Sequence, residues 1–138
     1  MTPTKAVMRR LEKTARLAAI GSYSPYSKFP VGAAVLTSTG AIYAGCNVEN
    51  ASFGLCNCAE RTAIFTAIAA GEREITAVAI YTPTTAATAP CGACRQVINE
   101  FGAEALVISF CDSEHRLESS LGKLLPDAFG PTNFKPKR

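Results

Sequence analysis

Four residues in two short segments have the types and the spacing of a metal-dependent hydrolytic site. Cys58 and Glu60 stand in Cys-Ala-Glu-Arg, and Cys91 and Cys94 stand in Pro-Cys-Gly-Ala-Cys. Three protein ligands leave one position of a zinc ion open for water, which is the pattern of catalytic zinc sites. A glutamate beside that water can accept its proton and pass it on. We therefore predict that the three cysteines bind one zinc ion per chain and that Glu60 transfers protons.

The elements that carry these residues favour the same chemistry. Hydrophobic periodicity predicts helices over 58–70 and over 91–101, which end at Gly71 and Gly102. Cys58 and Cys91 then stand at helix N-termini, where free backbone N–H groups and partial positive charge accumulate. Both effects favour the thiolate, the form of cysteine that binds a metal.

Two arginines lie next to this group in the sequence. Three thiolates would give the zinc ion and its ligands together a net negative charge, which would make the ion a weaker Lewis acid. Arg61 follows Glu60, and Arg95 follows Cys94, so either guanidinium could offset that charge by turning towards a thiolate. The alternative for each arginine is a solvated place on the surface.

The three remaining cysteines allow a different interpretation. A structural zinc site has four protein ligands, and Cys46, Cys56 or Cys111 could supply the fourth thiolate. Cys56 is the main concern because it stands two residues before Cys58. We expect Cys46 and Cys111 to be buried core residues near strands. His115, the one histidine of the chain, lies in a polar loop, and we expect it to have no chemical role.

Length and composition predict one globular catalytic domain over 1–138. Of the 138 residues, 48% are hydrophobic and 18% are charged, and the net charge is +3. The basic residues are scattered, so we expect no nucleic-acid partner. No apolar run is long enough to cross a membrane, which predicts a cytoplasmic protein without a membrane partner. The basic tail, about 132–138, is expected to be mobile.

Apolar periodicity and turn residues divide the chain into alternating elements. Strands that alternate with helices in the second half favour a mixed sheet with helices on its faces. The predicted helices cover 5–20, 58–70, 91–101 and 117–125, and the predicted strands cover 31–37, 41–48, 75–81 and 105–110.

Taken together, these motifs resemble the small, homotetrameric cytidine deaminases. The resemblance extends from about residue 23 to residue 131 and is carried by 25–34, 45–51, 58–63, 90–96 and 124–126 together with Phe129. A cysteine or histidine ligand, a glutamate two residues later and a distant Pro-Cys-x-x-Cys form the signature of zinc-dependent deaminases. The resemblance implies a three-layer α/β/α fold with a five-stranded mixed sheet. It also implies a homotetramer that deaminates cytidine and 2′-deoxycytidine in pyrimidine salvage.

The resemblance also implies a role for each site residue. Glu60 would move protons between water, ring nitrogen N3 and the departing amine, while hydroxide attacks C4. Asn47 and Glu49, two apart on a strand and therefore on one side of it, would bind the ribose. Phe29 would pack against the pyrimidine, and the backbone of Ala59 would bind the base edge. From the residues alone, a solvated strand end and ordinary core packing remain alternatives for the ribose-binding pair and for Phe29.

Two further aromatic residues enter through the resemblance. Phe129 would reach into the site of a neighbouring subunit and make the active site composite. Phe53 stands among the substrate contacts where many family members have a tyrosine, so a hydroxyl contact would be absent.

Three other functions remain open: a deaminase of another small amine, a zinc-binding module without catalysis, and a nucleic-acid editor with salt-dependent affinity.

Overall fold

A five-stranded mixed sheet forms the centre of the molecule in a computed structural model, which describes residues 2–134. The strand order is β2-β1-β3-β4-β5; β3 and β4 are parallel, and the other neighbouring pairs are antiparallel. The strands are β1 (Gly32–Thr37), β2 (Ile42–Cys46), β3 (Ile75–Tyr81), β4 (Leu106–Phe110) and β5 (Arg116–Ser120). The helices are α1 (Lys5–Ala18), α2 (Ala59–Ala69), α3 (Gly92–Phe101) and α4 (Leu121–Leu124), with short 3₁₀ turns at Ala19–Gly21, Phe53–Leu55 and Pro131–Phe134.

Helices cover both faces of this sheet. Successive strand residues point to opposite faces, so Ala34 and Leu36 of β1 pack against α1, whereas Ala33 and Val35 join the cluster formed with α2 and α3. The apolar stripe of α1 supplies Leu11, which is fully buried in the first cluster. The arrangement confirms the predicted three-layer α/β/α fold with a five-stranded mixed sheet.

The strand directions bring the starts of α2 and α3 to one edge of the sheet. Both β2 and β3 are antiparallel to β1, which lies between them, so they run in the same direction. α2 follows β2 and α3 follows β3, and both helices therefore begin beyond the same edge. The chain that enters β1 lies there too, because Gly32 pairs with Cys46 and with Tyr81, the last residues of β2 and β3.

A very close contact between α2 and the sheet sets the position of that helix. A Cβ atom on Gly45 would lie 2.3 Å from the backbone nitrogen of Ala63 and 2.7 Å from the carbonyl oxygen of Ala59. Real Cβ atoms do not approach other atoms so closely, so glycine is required in this part of β2. The absence of a side chain lets the first two turns of α2 rest directly on the strand.

One predicted element is wrong. The helix predicted over 117–125 is instead strand β5 followed by the single turn of α4. β5 pairs with the exposed edge of β4, with Leu106 opposite Ser120 and Phe110 opposite Arg116. The Ser120 side chain accepts a hydrogen bond from the Lys123 amide and caps α4. The other predicted elements are present with ends that differ by at most two residues.

The C-terminal segment is described only in part. Pro131–Phe134 form a 3₁₀ turn, and residues 135–138 of the predicted mobile tail lie outside the described residues. Among residues 2–134, no helix has the length and the apolar character that crossing a bilayer would need.

Candidate active site

Three cysteines from the N-termini of α2 and α3 meet at one edge of the sheet. Cys58 is the N-cap residue of α2, Cys91 is the N-cap residue of α3, and Cys94 lies in the first turn of α3. Their sulfur atoms all lie within 4.8 Å of one another, and the Cys58 and Cys91 sulfurs are 3.9 Å apart. The structure therefore brings together the three residues that the sequence predicts as metal ligands.

The spacing of the sulfurs fits a zinc ion. With zinc–sulfur bonds of about 2.3 Å and tetrahedral angles, two ligand sulfurs lie about 3.8 Å apart, close to the distance between Cys58 and Cys91. Arg61 Nη2 donates to the Cys58 sulfur over 3.2 Å, and the neighbouring Nε is buried without a partner among the described residues. Three thiols beside the half-buried Arg61 guanidinium, whose charge offsets that of thiolates, form a donor set that suits a thiophilic dication.

Electrostatics favour a thiolate in this cluster. A hydrogen bond with the Cys94 thiol and a weaker effect of the Arg61 guanidinium lower the pKa of Cys58 to about 5. Its contact with Cys58, together with burial, raises the pKa of Cys94, because a second negative charge so close is unfavourable. The Cys58 thiolate in turn raises the pKa of Arg61 and keeps the guanidinium charged. A dication in contact with all three sulfurs would relieve the repulsion between thiolates.

The other cysteines do not join the cluster in the described part of the chain. Cys111 is buried, as predicted, and its sulfur contacts Ser113 and His115. Cys46 ends β2 and is only partly buried, which differs from the expectation of a core residue. The Cys56 sulfur accepts a hydrogen bond from the Asn50 amide. The geometry thus provides three sulfur ligands and does not support the four-cysteine structural site.

Glu60 is a buried carboxylic acid beside the cysteine cluster. Its exposed fraction is 5%, and it lines the same cavity as Cys58 and Cys91. Burial raises the pKa of the Glu60 carboxyl, and the negative charge of Cys58 acts in the same direction. A carboxyl group whose pKa is raised from its ordinary value is better suited to exchange protons near neutral pH.

The cavity beside this group has a volume of about 250 Å³, slightly below the range of about 300–1,000 Å³ that is typical of small-molecule pockets. It extends from the cysteines to the loop before β1. The predicted site residues that line it are Phe29, Asn47, Glu49, Cys58, Ala59, Glu60 and Cys91. Most of the predicted substrate contacts therefore face one small space.

The two predicted ribose contacts, Asn47 and Glu49, line the cavity and also bind the loop before β1. Asn47 Oδ1 accepts from the Val31 amide over 2.9 Å, and its Nδ2 donates to the Phe29 carbonyl over 2.8 Å. The Glu49 carboxylate accepts from the amides of Tyr26 and Ser27. The Ser27 hydroxyl also donates to this carboxylate and is the main cause that lowers the pKa of Glu49, so Glu49 contributes a negative charge to the wall of the cavity.

Two predicted aromatic contacts lie outside this cavity. Phe53 is 72% exposed, and its ring contacts the edge of Tyr26, with ring centroids 5.7 Å apart. Phe129 is 59% exposed and packs against Phe134. The Gln96 and Asn99 side chains of α3 donate to the Phe129 carbonyl over 2.8 and 3.2 Å. Neither aromatic ring lines the cavity in the single chain.

Arg95 differs from its predicted role. Its Nε donates to the Pro90 carbonyl over 2.8 Å, and its Nη1 donates to the Leu124 carbonyl over 2.9 Å. The guanidinium is therefore neither directed at a thiolate nor simply solvated. Arg95 holds the segment before Cys91 against the end of α4, whereas Arg61 makes the predicted contact with a sulfur.

Sequence reasoning missed several residues of the site. Ser27, Thr82 and Thr88 line the cavity, but single hydroxyl residues in loops give no periodic or spacing signal. His115 has a structural contact: its Nδ1 accepts a hydrogen bond from the Ala87 amide over 2.8 Å. That bond holds the loop before Cys91, and nothing in the local sequence around His115 indicates it.

Comparison with known proteins gives a consistent result. Residues 2–110 match the family model described as the cytidine and deoxycytidylate deaminase zinc-binding region. The chain is 48% identical over 109 residues to a cytidine deaminase from Sporosarcina psychrophila, with 78% of this chain and 80% of that protein covered. It is 43% identical to the cytidine deaminase of Mycobacterium tuberculosis, with 93% of each covered. The 1.6 Å crystal structure of cytidine deaminase from Burkholderia pseudomallei superposes with a TM-score of 0.84 at 49% identity and covers 88% of this chain and 98% of that one.

Proposed function

The chain belongs to the cytidine and deoxycytidylate deaminase family, and from this premise we propose that it deaminates cytidine and 2′-deoxycytidine. Water would replace the amino group at C4, and the products would be uridine or 2′-deoxyuridine and ammonia. The observation that carries the proposal is the common cavity: Cys58 and Cys91 of the cysteine cluster and the buried Glu60 line it together with Asn47 and Glu49.

The site residues divide the work between binding and proton transfer. Zinc held by Cys58, Cys91 and Cys94 would supply the activation of water that catalytic zinc provides in general. Glu60 takes a proton from the attacking water and passes it to ring nitrogen N3. It then takes the remaining proton of the new C4 hydroxyl and transfers it to the departing amine, which leaves as ammonia. Its burial supports this role, because each proton transfer then occurs in a site with little competing solvent.

The remaining contacts orient the substrate. The Phe29 ring packs on the pyrimidine, and the backbone of Ala59, the first residue of α2, binds the base edge. Asn47 and Glu49 bind sugar hydroxyls through amide and carboxylate groups. Phe53 contributes to the outer side of the nucleoside site next to Tyr26. Arg61 offsets the charge of the thiolates, and Arg95 positions the loop that carries Cys91.

The charge of the cavity favours a nucleoside over a nucleotide. Among the described residues that line it, there is no lysine or arginine, whereas Glu49 contributes a carboxylate. A phosphate group next to that carboxylate would be repelled and would lack a cationic partner. The same feature disfavours a nucleic-acid editor, whose substrate carries a phosphate at each nucleotide. We therefore expect turnover of cytidine and little or none of its 5′-monophosphate.

The decisive experiment follows the loss of cytidine by ultraviolet absorbance for the wild type, Glu60→Gln and Glu100→Gln. Glu60→Gln keeps the size of the side chain but removes the base, so it should retain zinc and lose at least about 10²-fold in kcat. Glu100 is an exposed glutamate of α3 outside the cavity, and its substitution should leave kcat unchanged. Equal activity of Glu60→Gln and the wild type would refute the assigned role, and zinc binding without turnover by the wild type would indicate a non-catalytic module.

We also propose a cytoplasmic homotetramer in which neighbouring subunits complete each site. Large apolar side chains are exposed in the single chain, among them Ile20, Leu55 and Phe134, as expected of surfaces that associate. Phe129 is exposed outside its own cavity and is available to another subunit. Light scattering should give the mass of four chains, and cell fractionation tests the location.

Subunit mixing tests whether the sites are composite. Glu60→Gln and Phe129→Ala would each disable a different half of such a site, so mixed oligomers should regain activity that neither variant has alone. If refolded mixtures are no more active than the average of the two variants, each site is made by a single chain.

A further inference from the structure

The hydroxyl group of Ser27 lies between two of the groups that the proposed function assigns to the substrate. Its Oγ donates a hydrogen bond to Glu49 Oε2 and accepts one from the Phe29 amide over 3.1 Å. Ser27 itself lines the cavity. One side chain thus connects the carboxylate proposed to bind the sugar with the backbone of the aromatic residue proposed to bind the base.

The same turn fixes the orientation of the Glu49 carboxylate. Oε1 accepts from the amides of Tyr26 and Ser27 over 2.9 and 3.1 Å, while Oε2 accepts from the Ser27 hydroxyl. A carboxylate has about four acceptor positions, so three are occupied and one remains for a ligand. Glu49 can therefore receive a substrate hydroxyl only in one direction.

The turn that carries Ser27 is itself held in a specific shape. Lys28 has φ +58°, a left-handed conformation that is uncommon for a residue other than glycine, and its amide donates to the Ser24 carbonyl. Asn47 Nδ2 holds the Phe29 carbonyl on the other side of the turn. The turn and Glu49 thus form a unit in which, among residues 2–134, the Ser27 hydroxyl is the one side chain that hydrogen-bonds both the carboxylate and the Phe29 amide.

We propose that Ser27 is a positioning residue for nucleoside recognition. Its hydroxyl sets the separation between the ring of Phe29 and the free acceptor position of Glu49, and so the distance between base and sugar that the cavity accepts. The inference rests on the proposed function, because it takes Phe29 and Glu49 as substrate contacts. Ser27 acts before chemistry, so its loss affects substrate binding and leaves proton transfer by Glu60 intact.

The experiment compares four variants at equal zinc content: Ser27→Ala, Ser27→Thr, Ser27→Val and Ser24→Ala. Threonine and valine have nearly the same shape and differ in the hydroxyl, so this pair separates hydrogen bonding from packing. Ser24 lies in the same turn, but its hydroxyl contacts Ser22 and does not contact Glu49. It is therefore a matched control for a lost hydroxyl.

We expect KM for cytidine to rise about 10-fold in Ser27→Ala and Ser27→Val, from the loss of a hydrogen bond to a charged group, with kcat within about twofold. Ser27→Thr and Ser24→Ala should keep KM close to that of the wild type. A competing ligand that lacks the 2′- and 3′-hydroxyls, 2′,3′-dideoxycytidine, should lose less affinity than cytidine in Ser27→Ala and Ser27→Val, because neither missing hydroxyl can donate to Glu49.

Three results would overturn the inference. The first is an unchanged KM in Ser27→Val, and the second is equal KM values for Ser27→Thr and Ser27→Val. The third is a fall in kcat without a change in KM, which would place Ser27 in the chemical step. Failure of the proposed function is a separate result, because the wild type would then not deaminate cytidine at all.

Discussion

Replacement of Gly45 by alanine should move α2, the helix that carries Glu60, the proposed catalytic residue. The added Cβ would lie 2.3 Å from the Ala63 nitrogen and 2.7 Å from the Ala59 carbonyl oxygen, whereas ordinary contact begins at 3.4 Å. The backbone of α2 would therefore have to retreat by about 1 Å, since both close atoms belong to the helix backbone and cannot rotate away. Overpacking of this kind lowers the free energy of unfolding by about 1–3 kcal/mol.

The displacement should affect catalysis as well as stability. Cys58 and Glu60 lie at the N-terminal end of α2, the part of the helix that contacts Gly45. A shift of about 1 Å in reacting groups can lower the rate by about 10²-fold. We expect Gly45→Ala to fold, to retain zinc less tightly, and to show a kcat that is reduced by one to two orders of magnitude.

The assays are urea denaturation at fixed protein and zinc concentrations, zinc content, and the kinetics of cytidine loss. Gly122→Ala in α4 is the matched control, because its Cβ would meet its nearest neighbour, the Ala103 carbonyl oxygen, at 3.9 Å. It should be neutral or slightly stabilising, as expected for alanine in place of glycine in a helix. If Gly45→Ala matches the wild type in stability and kcat, close packing of β2 on α2 does not position the site.

Three further predictions concern the metal cluster and the loop before it. Arg61→Gln removes the 3.2 Å hydrogen bond to the Cys58 sulfur and should weaken zinc affinity about 10-fold to 100-fold. Competition with a chelator measures the affinity, and an unchanged value would contradict the role of Arg61 in stabilising the Cys58 thiolate. Complete removal of the metal should abolish activity and lower the melting temperature, and added zinc should restore both, because a ligand of the folded state stabilises it. His115→Ala removes the acceptor of the Ala87 amide and should speed amide hydrogen exchange in the loop before Cys91 by about fivefold to tenfold. The control, His115→Asn, should largely preserve the protection from exchange. Equal exchange rates in the wild type and His115→Ala would show that the bond does not hold the loop.

Local patterns were sufficient for the elements that position the chemistry. The nearly continuous apolar runs of β1 and β3 are typical of strands in a sheet that is covered on both faces. Gly71, which follows α2, adopts the left-handed φ of +103° that ends helices. The spacing of Cys91 and Cys94 within one helical turn places both sulfurs near one point. Each of these features depends on residues within a few positions of each other, so it can be predicted without knowledge of the rest of the chain.

The strand β5 shows where such local reasoning ends. Leu117, Leu121 and Leu124 have helical spacing, yet Arg116–Ser120 form a strand, because pairing with the open edge of β4 satisfies the backbone of both strands. The identity of that partner is a property of the folded sheet. Arg95 is a similar case, since its acceptor on Leu124 lies 29 residues away and only the packing of α4 beside α3 brings it within reach.

The amino-acid sequence alone was sufficient to propose the groups of the site: three cysteines, a glutamate two residues after the first of them, and helices that begin at Cys58 and Cys91. Only the tertiary structure decided how those groups meet, because the parallel directions of β2 and β3 bring two distant helix starts to one edge of the sheet. It also decided that a serine hydroxyl connects Glu49 to Phe29. Hydrogen bonds between distant segments depend on the path of the whole chain, and no local period or spacing encodes them.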